Sequence, residues 1–259
     1  STRDQGYVTM KGKSLELSQK IVITGASSFT GRQLVQLLSD AGYDLLLVER
    51  DSASLRTHFP NFTCCNYDDA RDLARGFDKL IHLDVLSNTA NARCEEFERV
   101  NVGLLVEALG VAMSAHIPRF VNVTSFHALS DRDTPYTKSR RRGLDVVNAA
   151  NGIEVLNLFL PAVYGDEFAG RLLLVTRLPK FLRGSTLTIL TAMAPSVHIK
   201  RVAQFLISED EWSDRDVFLA NPQEENMVFR MGKALIDILF VLGVVGVFGW
   251  LLLIVWLLI

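Results

Sequence analysis

Lys20-Ile-Val-Ile-Thr-Gly25-Ala-Ser-Ser28-Phe-Thr-Gly31 is the stretch on which the reading of this chain turns. It opens with a short run rich in β-branched residues, breaks at Gly25, and leads into Gly31-Arg-Gln-Leu-Val-Gln-Leu-Leu38, where apolar residues recur at helical spacing. That order predicts a strand, a tight loop and a helix. The first glycine permits the turn, the last lets helix and strand pack closely, and the helix N-terminus turns its N–H groups toward an anion.

The pattern repeats outward from this unit. Asp44-Leu-Leu-Leu-Val48, Lys79-Leu-Ile-His-Leu83 and Arg119-Phe-Val-Asn-Val123 are further apolar runs, each after a helical segment, and 57–65 and 152–160 read as two more strands. Continuous apolar strands alternating with amphipathic helices predict a parallel sheet covered on both faces, an α/β doubly wound architecture. Beyond Pro161 the pattern loosens, with helix expected over 168–182, an extended run over 185–190 and helix again over 198–207. The expected organisation is a polar tail over 1–19, a main domain over 20–236 with a small substrate-side lobe at about 166–230, and a final segment over 237–259.

Composition narrows the function. The chain has 259 residues, room for one α/β domain and a small appendage. A formal net charge of −2, with both signs spread through the sequence, excludes the basic stripe that a nucleic-acid partner requires. Cys64, Cys65 and Cys94 have neither the count nor the spacing of a disulfide framework or a thiolate metal site, which fits a reducing compartment. The histidines, His58, His82, His116, His127 and His198, lack the i, i+4 spacing of a helical metal site, so no metal is expected.

The C-terminal segment points elsewhere. From Ile238 to Ile259 there is no charged residue, and 22 residues at about 1.5 Å each reach roughly 33 Å, the thickness of a hydrocarbon core. A single membrane-spanning helix over 237–259 is therefore expected, with the bilayer as a partner. Lys200, Arg201, Arg230 and Lys233 precede it, which puts the globular domain on the cytoplasmic side. Gly243, Gly246 and Gly249 recur every third residue and offer a face on which a partner helix can lie close. The end at Leu257-Leu258-Ile259 lacks the polar cap usual after a span, which leaves a continuation of the chain open.

The glycine loop resembles the Thr-Gly-x-x-Gly-x-x-Gly loop of the extended short-chain dehydrogenase/reductase family, in its NAD-dependent epimerase/dehydratase group, with Ser28 in place of the middle glycine. Asn66 with Asp69 is similar to the family's adenine-side loop, Leu80-Ile-His-Leu83 to its fourth strand, Val100-Asn-Val-Gly103 to the start of its central helix, and Pro161-Ala-Val-Tyr-Gly165 to its Pro-x-x-Val-Tyr-Gly turn. The resemblance covers roughly 20–235 and implies a Rossmann fold. It also implies a dinucleotide held by Gly25, Ser28, Phe29, Gly31, Glu49, Arg50, Asn66, Leu83 and Pro161. Glu49, an acid at the end of the second strand about 20 residues after the loop, favours NAD(H) over NADP(H), whereas Arg50 beside it suits a 2′-phosphate.

In this family a tyrosine exchanges the substrate proton, a lysine four residues later supplies a cation, and a serine or threonine orients the substrate oxygen. A phenol titrates near pH 10 when unperturbed and needs such a cation to exchange protons at neutral pH. Pro135-Tyr136-Thr-Lys-Ser-Arg140 resembles the motif, with Tyr136 in place, Ser125 as the hydroxyl partner, and Arg140 at the lysine position. Arginine keeps the charge but aims a bulkier planar fork. Lys138 lies on another helix face and reads as surface charge. Asp84, Leu160 and Lys200-Arg201 also depart from the family pattern.

The resemblance implies hydride and proton exchange on a nucleotide sugar or a lipid-linked sugar, with Tyr136, Ser125 and Arg140 as the catalytic set. A sterol-type alcohol dehydrogenase is a related reading. From another class comes a non-catalytic accessory subunit of a membrane complex, its Rossmann domain keeping a nucleotide, or nothing, as a plug. A fourth reading makes the apolar segment the start of a further membrane domain.

Overall fold

The apolar runs form strands because they are buried on both faces, and every pairing in the main sheet is parallel. A computed structural model describes residues 19–83, 93–165, 175, 178–208, 214–223 and 226–258. In chain order its elements are β1 (Lys20–Thr24), α1 (Phe29–Asp40), β2 (Asp44–Val48), α2 (Ser52–His58), β3 (Thr63–Cys65), α3 (Tyr67–Leu73), β4 (Lys79–His82) and α4 (Cys94–Glu98). A π-helical turn (Arg99–Gly103) joins α4 to α5 (Leu104–Ser114). Then come β5 (Arg119–Ser125), α6 (Pro135–Ala149), β6 (Glu154–Leu160), β7 (Ala162–Tyr164), α7 (Lys180–Met193), β8 (Ser196–His198), α8 (Ile199–Ile207), β9 (Asp216–Phe218) and α9 (Met227–Leu258).

The seven-stranded sheet has the order β3-β2-β1-β4-β5-β6-β9, with the chain reversing direction of growth between β1 and β4. That switch point opens a crevice at the carboxyl ends of the strands, where ligands of doubly wound sheets bind. The expected α/β Rossmann architecture is what the chain adopts.

Two separate cores cover the sheet. On one face α1 and α8 bury Leu34, Val35, Leu38, Val202 and Leu206 against Ile21, Ile23, Leu45, Leu47 and Ile81. On the other, α3 and α5 bury Ala70, Leu105, Ala108 and Ala112 against Val22, Leu46, Leu80 and Phe120. Lys79, buried at the start of β4, donates from Nζ to the carbonyl oxygen of Leu206 at 2.8 Å. Its charge thus meets the carbonyl end of α8.

Several expectations require correction. The strand expected over 57–65 is helical in its first part: Asp51 caps α2 by accepting from Ser54 N at 3.0 Å, and only Thr63–Cys65 pairs in the sheet. The extended run expected over 185–190 is part of α7. In both places threonines supplied the strand signal, but their hydroxyls bond back to the preceding turn: Thr57 Oγ1 to Ala53 O at 3.1 Å and Thr188 Oγ1 to Gly184 O at 3.0 Å. Most of the helix expected over 168–182 lies outside the described residues. β7 and β8 form a separate parallel pair whose Val163 and Val197 pack on the core under α1 and α8.

The expected transmembrane helix is also corrected. Among the described residues no helix is long and apolar enough to cross a membrane. α9 is a continuous helix of 32 residues, but its first turns carry Arg230, Lys233 and Asp237. The single-pass membrane localisation, the bilayer partner and the helix-partner reading of Gly243, Gly246 and Gly249 all rested on that span. A Cβ built at Gly243 or Gly246 meets nothing within 4 Å.

Candidate active site

The glycine loop follows from backbone geometry. Gly25 sits at φ +73°, a conformation that side chains disfavour, and its carbonyl accepts from Ser28 N at 3.1 Å. A Cβ on Gly31 would lie 2.7 Å from the carbonyl oxygen of Ala26, so only glycine lets α1 approach the loop. Ser28, in place of the middle glycine, is the N-cap of α1, its Oγ accepting from Gly31 N at 3.0 Å. Phe29 opens the helix, half-buried.

Glu49 reaches across from the end of β2, its Oε1 accepting from Ser27 N at 2.6 Å. Glu49, Arg50, Asp51 and Leu104 line a cleft of about 490 Å³. A cradle that one Cβ would fill, at a helix N-terminus and beside a carboxylate, fits a pyrophosphate and a ribose. Leu83 is buried and extends the β1–β4 ladder by donating to Thr24 O at 3.0 Å. Asn66 caps α3 by accepting from Asp69 N at 2.9 Å. Pro161, half-buried, separates β6 from β7.

Tyr136 stands in the first turn of α6, where Pro135, Thr134 and a reciprocal Thr134–Thr137 capping box start the helix. Its ring meets Phe97 edge-on at 6.0 Å. Arg140, one turn on, is buried with it, and its guanidinium hydrogen-bonds the Tyr136 side chain. Burial lowers the Arg140 pKa, and the neighbouring tyrosine opposes that shift. Ser125 ends β5, half-buried, in register with Leu160. Lys138 is exposed and pairs with Asp133 at 3.6 Å, the surface role expected for it.

A polar row, buried except for its exposed end at Asp216, was not foreseen. Thr24, His82, Asn122, Asn157 and Asp216 are consecutive register partners across five strands. Thr24 Oγ1 lies 2.8 Å from His82 Nδ1, Asn122 Nδ2 donates to Asn157 Oδ1 at 3.0 Å, and Asn157 Nδ2 donates to Asp216 Oδ1 at 2.7 Å. Asn101 in the π-turn donates to Ser139 Oγ at 2.9 Å, tying that turn to α6 beside Arg140. The signal lay in the strand runs, where Thr24, His82, Asn122 and Asn157 each share a face with an apolar residue two positions earlier.

Leu160 is buried, whereas Lys200 and Arg201 are exposed and line a cleft of about 650 Å³ in the small lobe. Asp84 lies outside the described residues. Gly165, closing the Pro161 turn, packs so tightly on α1 and α8 that a Cβ would lie 2.7 Å from Ile199 Cγ2. Burial pushes the Cys65 thiol up to about 11 and raises Cys64 as well, which leaves both poor thiolates. Among the described residues no cluster of His, Cys, Asp or Glu could hold a metal.

Residues 21–191 match the model of the NAD dependent epimerase/dehydratase family. The chain belongs to that family. It is 30% identical over 199 residues to a ceramide reductase of Caulobacter vibrioides (strain NA1000 / CB15N), covering 73% of this chain and 60% of that protein. The chain thus spans well under two thirds of that relative's length.

Among solved structures, it is similar to the Bordetella bronchiseptica enzyme WbmH in complex with NAD+, with a TM-score of 0.59, 16% identity, and coverage of 78% of this chain and 75% of the other. The UDP-N-acetylglucosamine 4-epimerase from Bacillus cereus gives a TM-score of 0.59 at 17% identity, covering 78% of each chain. At these identities the likeness is one of fold.

Proposed function

We propose that this chain is an NAD(H)-dependent reductase acting on the ketone of a ceramide-like lipid. The observation that carries the reading is the buried contact between the Arg140 guanidinium and the Tyr136 side chain, a cation on a phenol at the family's catalytic position. When bound, the dinucleotide supplies the hydride that reaches the carbonyl carbon. Tyr136 gives its hydroxyl proton to the carbonyl oxygen, Ser125 orients that oxygen, and Arg140 balances the phenolate until solvent returns the proton. Gly25, Phe29 and Gly31 form the pyrophosphate cradle, flanked by Leu83 and Pro161. Glu49 takes the ribose hydroxyls, its charge disfavouring a 2′-phosphate, with Arg50 and Asn66 on the adenosine side.

The lipid assignment is supported by the ceramide reductase relative and by an aromatic wall beside Ser125. Phe126 meets Phe218 at 5.8 Å, Phe218 stacks on Phe159 at 4.8 Å, and Phe218 is 57% exposed. A nucleotide sugar is the second reading, favoured by Lys200 and Arg201 in the small-lobe cleft, where cations suit a diphosphate. The test is titration with NADH and NADPH followed by fluorescence, then NADH oxidation with a ketone-bearing ceramide analogue in micelles or with UDP-glucose. Saturable NADH binding with turnover of the lipid ketone is expected. Turnover of the sugar alone selects the second reading, and absence of dinucleotide binding selects the accessory-subunit reading.

A further inference from the structure

Arg32 is the fourth residue of α1, a helix whose first turn holds no acid. A cation near that end opposes the helix dipole, so its placement calls for a reason. Its guanidinium reaches back over the helix start, where Nη1 donates to the carbonyl oxygen of Ser27 at 2.6 Å. The N–H of the same Ser27 donates to Glu49 Oε1, also at 2.6 Å. Both backbone groups of one loop residue are thus held by ionised side chains, one from α1 and one from just past β2, at the short distances of charge-assisted bonds. Glu49 is itself anchored, its backbone N–H donating to Cys65 O at the end of β3 at 3.2 Å.

The rest of the loop shows what these two bonds control. A trans peptide points its N–H and its C=O in opposite directions. The peptide joining Ser27 to Ser28 sends its N–H to Gly25 O at 3.1 Å and its C=O to Arg32. The peptide before it sends its N–H to Glu49. Ser28 Oγ takes the N–H of Gly31, which leaves the N–H groups of Phe29 and Thr30, the first two of the helix, with no partner inside it. Those are the donors that suit a pyrophosphate. Their direction follows from the peptide planes on either side of Ser27, and fixing those planes before the ligand arrives removes an ordering cost from binding.

We propose that Arg32 is a positioning residue for the dinucleotide: together with Glu49 it clamps both backbone groups of Ser27 and sets the glycine loop for the pyrophosphate in advance. The proposal rests on the reading of that loop as a dinucleotide cradle. Arg32 acts through the Ser27 carbonyl and touches no part of the ligand. Glu49 has two tasks, with one oxygen on the loop and the other turned to the ribose.

The test uses the full chain labelled with ¹⁵N. In the ligand-free protein, amide exchange at Ser27 and Ser28 is expected to quicken about tenfold in Arg32→Met, the loss of one charge-assisted hydrogen bond, with the thermal midpoint unchanged. The NADH dissociation constant should rise by about the same factor, and Arg32→Lys, which keeps a donor, should restore most of both losses. An NADH affinity indifferent to Arg32→Met overturns the proposal. So does a weakened affinity with loop exchange unchanged, the signature of a guanidinium bound to the dinucleotide itself. If the wild type binds no NADH, the cradle reading fails and the ligand-free loop alone decides: faster exchange in Arg32→Met upholds the clamp, and unchanged exchange overturns it.

Discussion

The two faces of the sheet are built differently. Against α1 and α8 the strands present Ile21, Ile23, Leu45, Leu47 and Ile81, an apolar surface with the buried Lys79 at its edge. Against α5 and α6 the sheet presents Val22, Leu80 and Phe120, and next to them the row Thr24, His82, Asn122 and Asn157, ending on the exposed Asp216. The first face is a core and nothing more. The second combines a core with a layer of buried polar groups under Tyr136 and Arg140, where burial makes each unpaired atom expensive and each satisfied one a positional constraint.

That contrast can be broken most directly at Tyr136. Tyr136→Phe is expected to lower turnover by at least about a hundredfold, the usual scale of general acid catalysis, with little change in thermal unfolding. Leu38→Ala, fully buried on the apolar face, should do the reverse: a loss of about 2–5 kcal/mol in denaturant unfolding with NADH affinity retained. If Leu38→Ala abolished binding while leaving stability intact, the division of labour between the faces would be wrong.

Acid offers a subtler probe. His82 is held at about 3 in the native state against 6.5 in the unfolded chain, so between those values the unfolded state binds the extra proton. Its contribution is therefore neutral above about pH 6.5 and destabilising as pH falls toward 3, by up to about 1.4 kcal/mol per pH unit. Urea midpoints measured from pH 7 to pH 4 should fall less steeply in His82→Gln than in the wild type. The smallest effect is expected at the loop: Ser28→Gly exchanges one good cap for another and should cost only a few tenths of a kcal/mol. NADH affinity in that variant tests whether the serine crowds the phosphates, since a rise would mean that it does.

Much of the first face was legible in the chain. The glycine loop and the alternation of apolar runs with amphipathic helices follow from local spacing, whereas Tyr136 and Ser125 were singled out only by the resemblance to the family motif. Local spacing did not reveal that Thr57 and Thr188 sit in helices, because a β-branched residue reads as strand until its hydroxyl finds a carbonyl one turn back. Nor did it limit the apolar C-terminal stretch, which enters a helix that begins at Met227 and carries charges through its first turns.

What the sequence determined by itself was the order of most elements of the main sheet, because turns, caps and hydrophobic periodicity act over a few residues. What only the tertiary structure decided was partnership. Thr24 and His82 are 58 positions apart, Asn157 and Asp216 are 59 apart, and Lys79 and Leu206 are 127 apart. Each pair meets because parallel strand register and helix packing bring together residues that no local pattern connects.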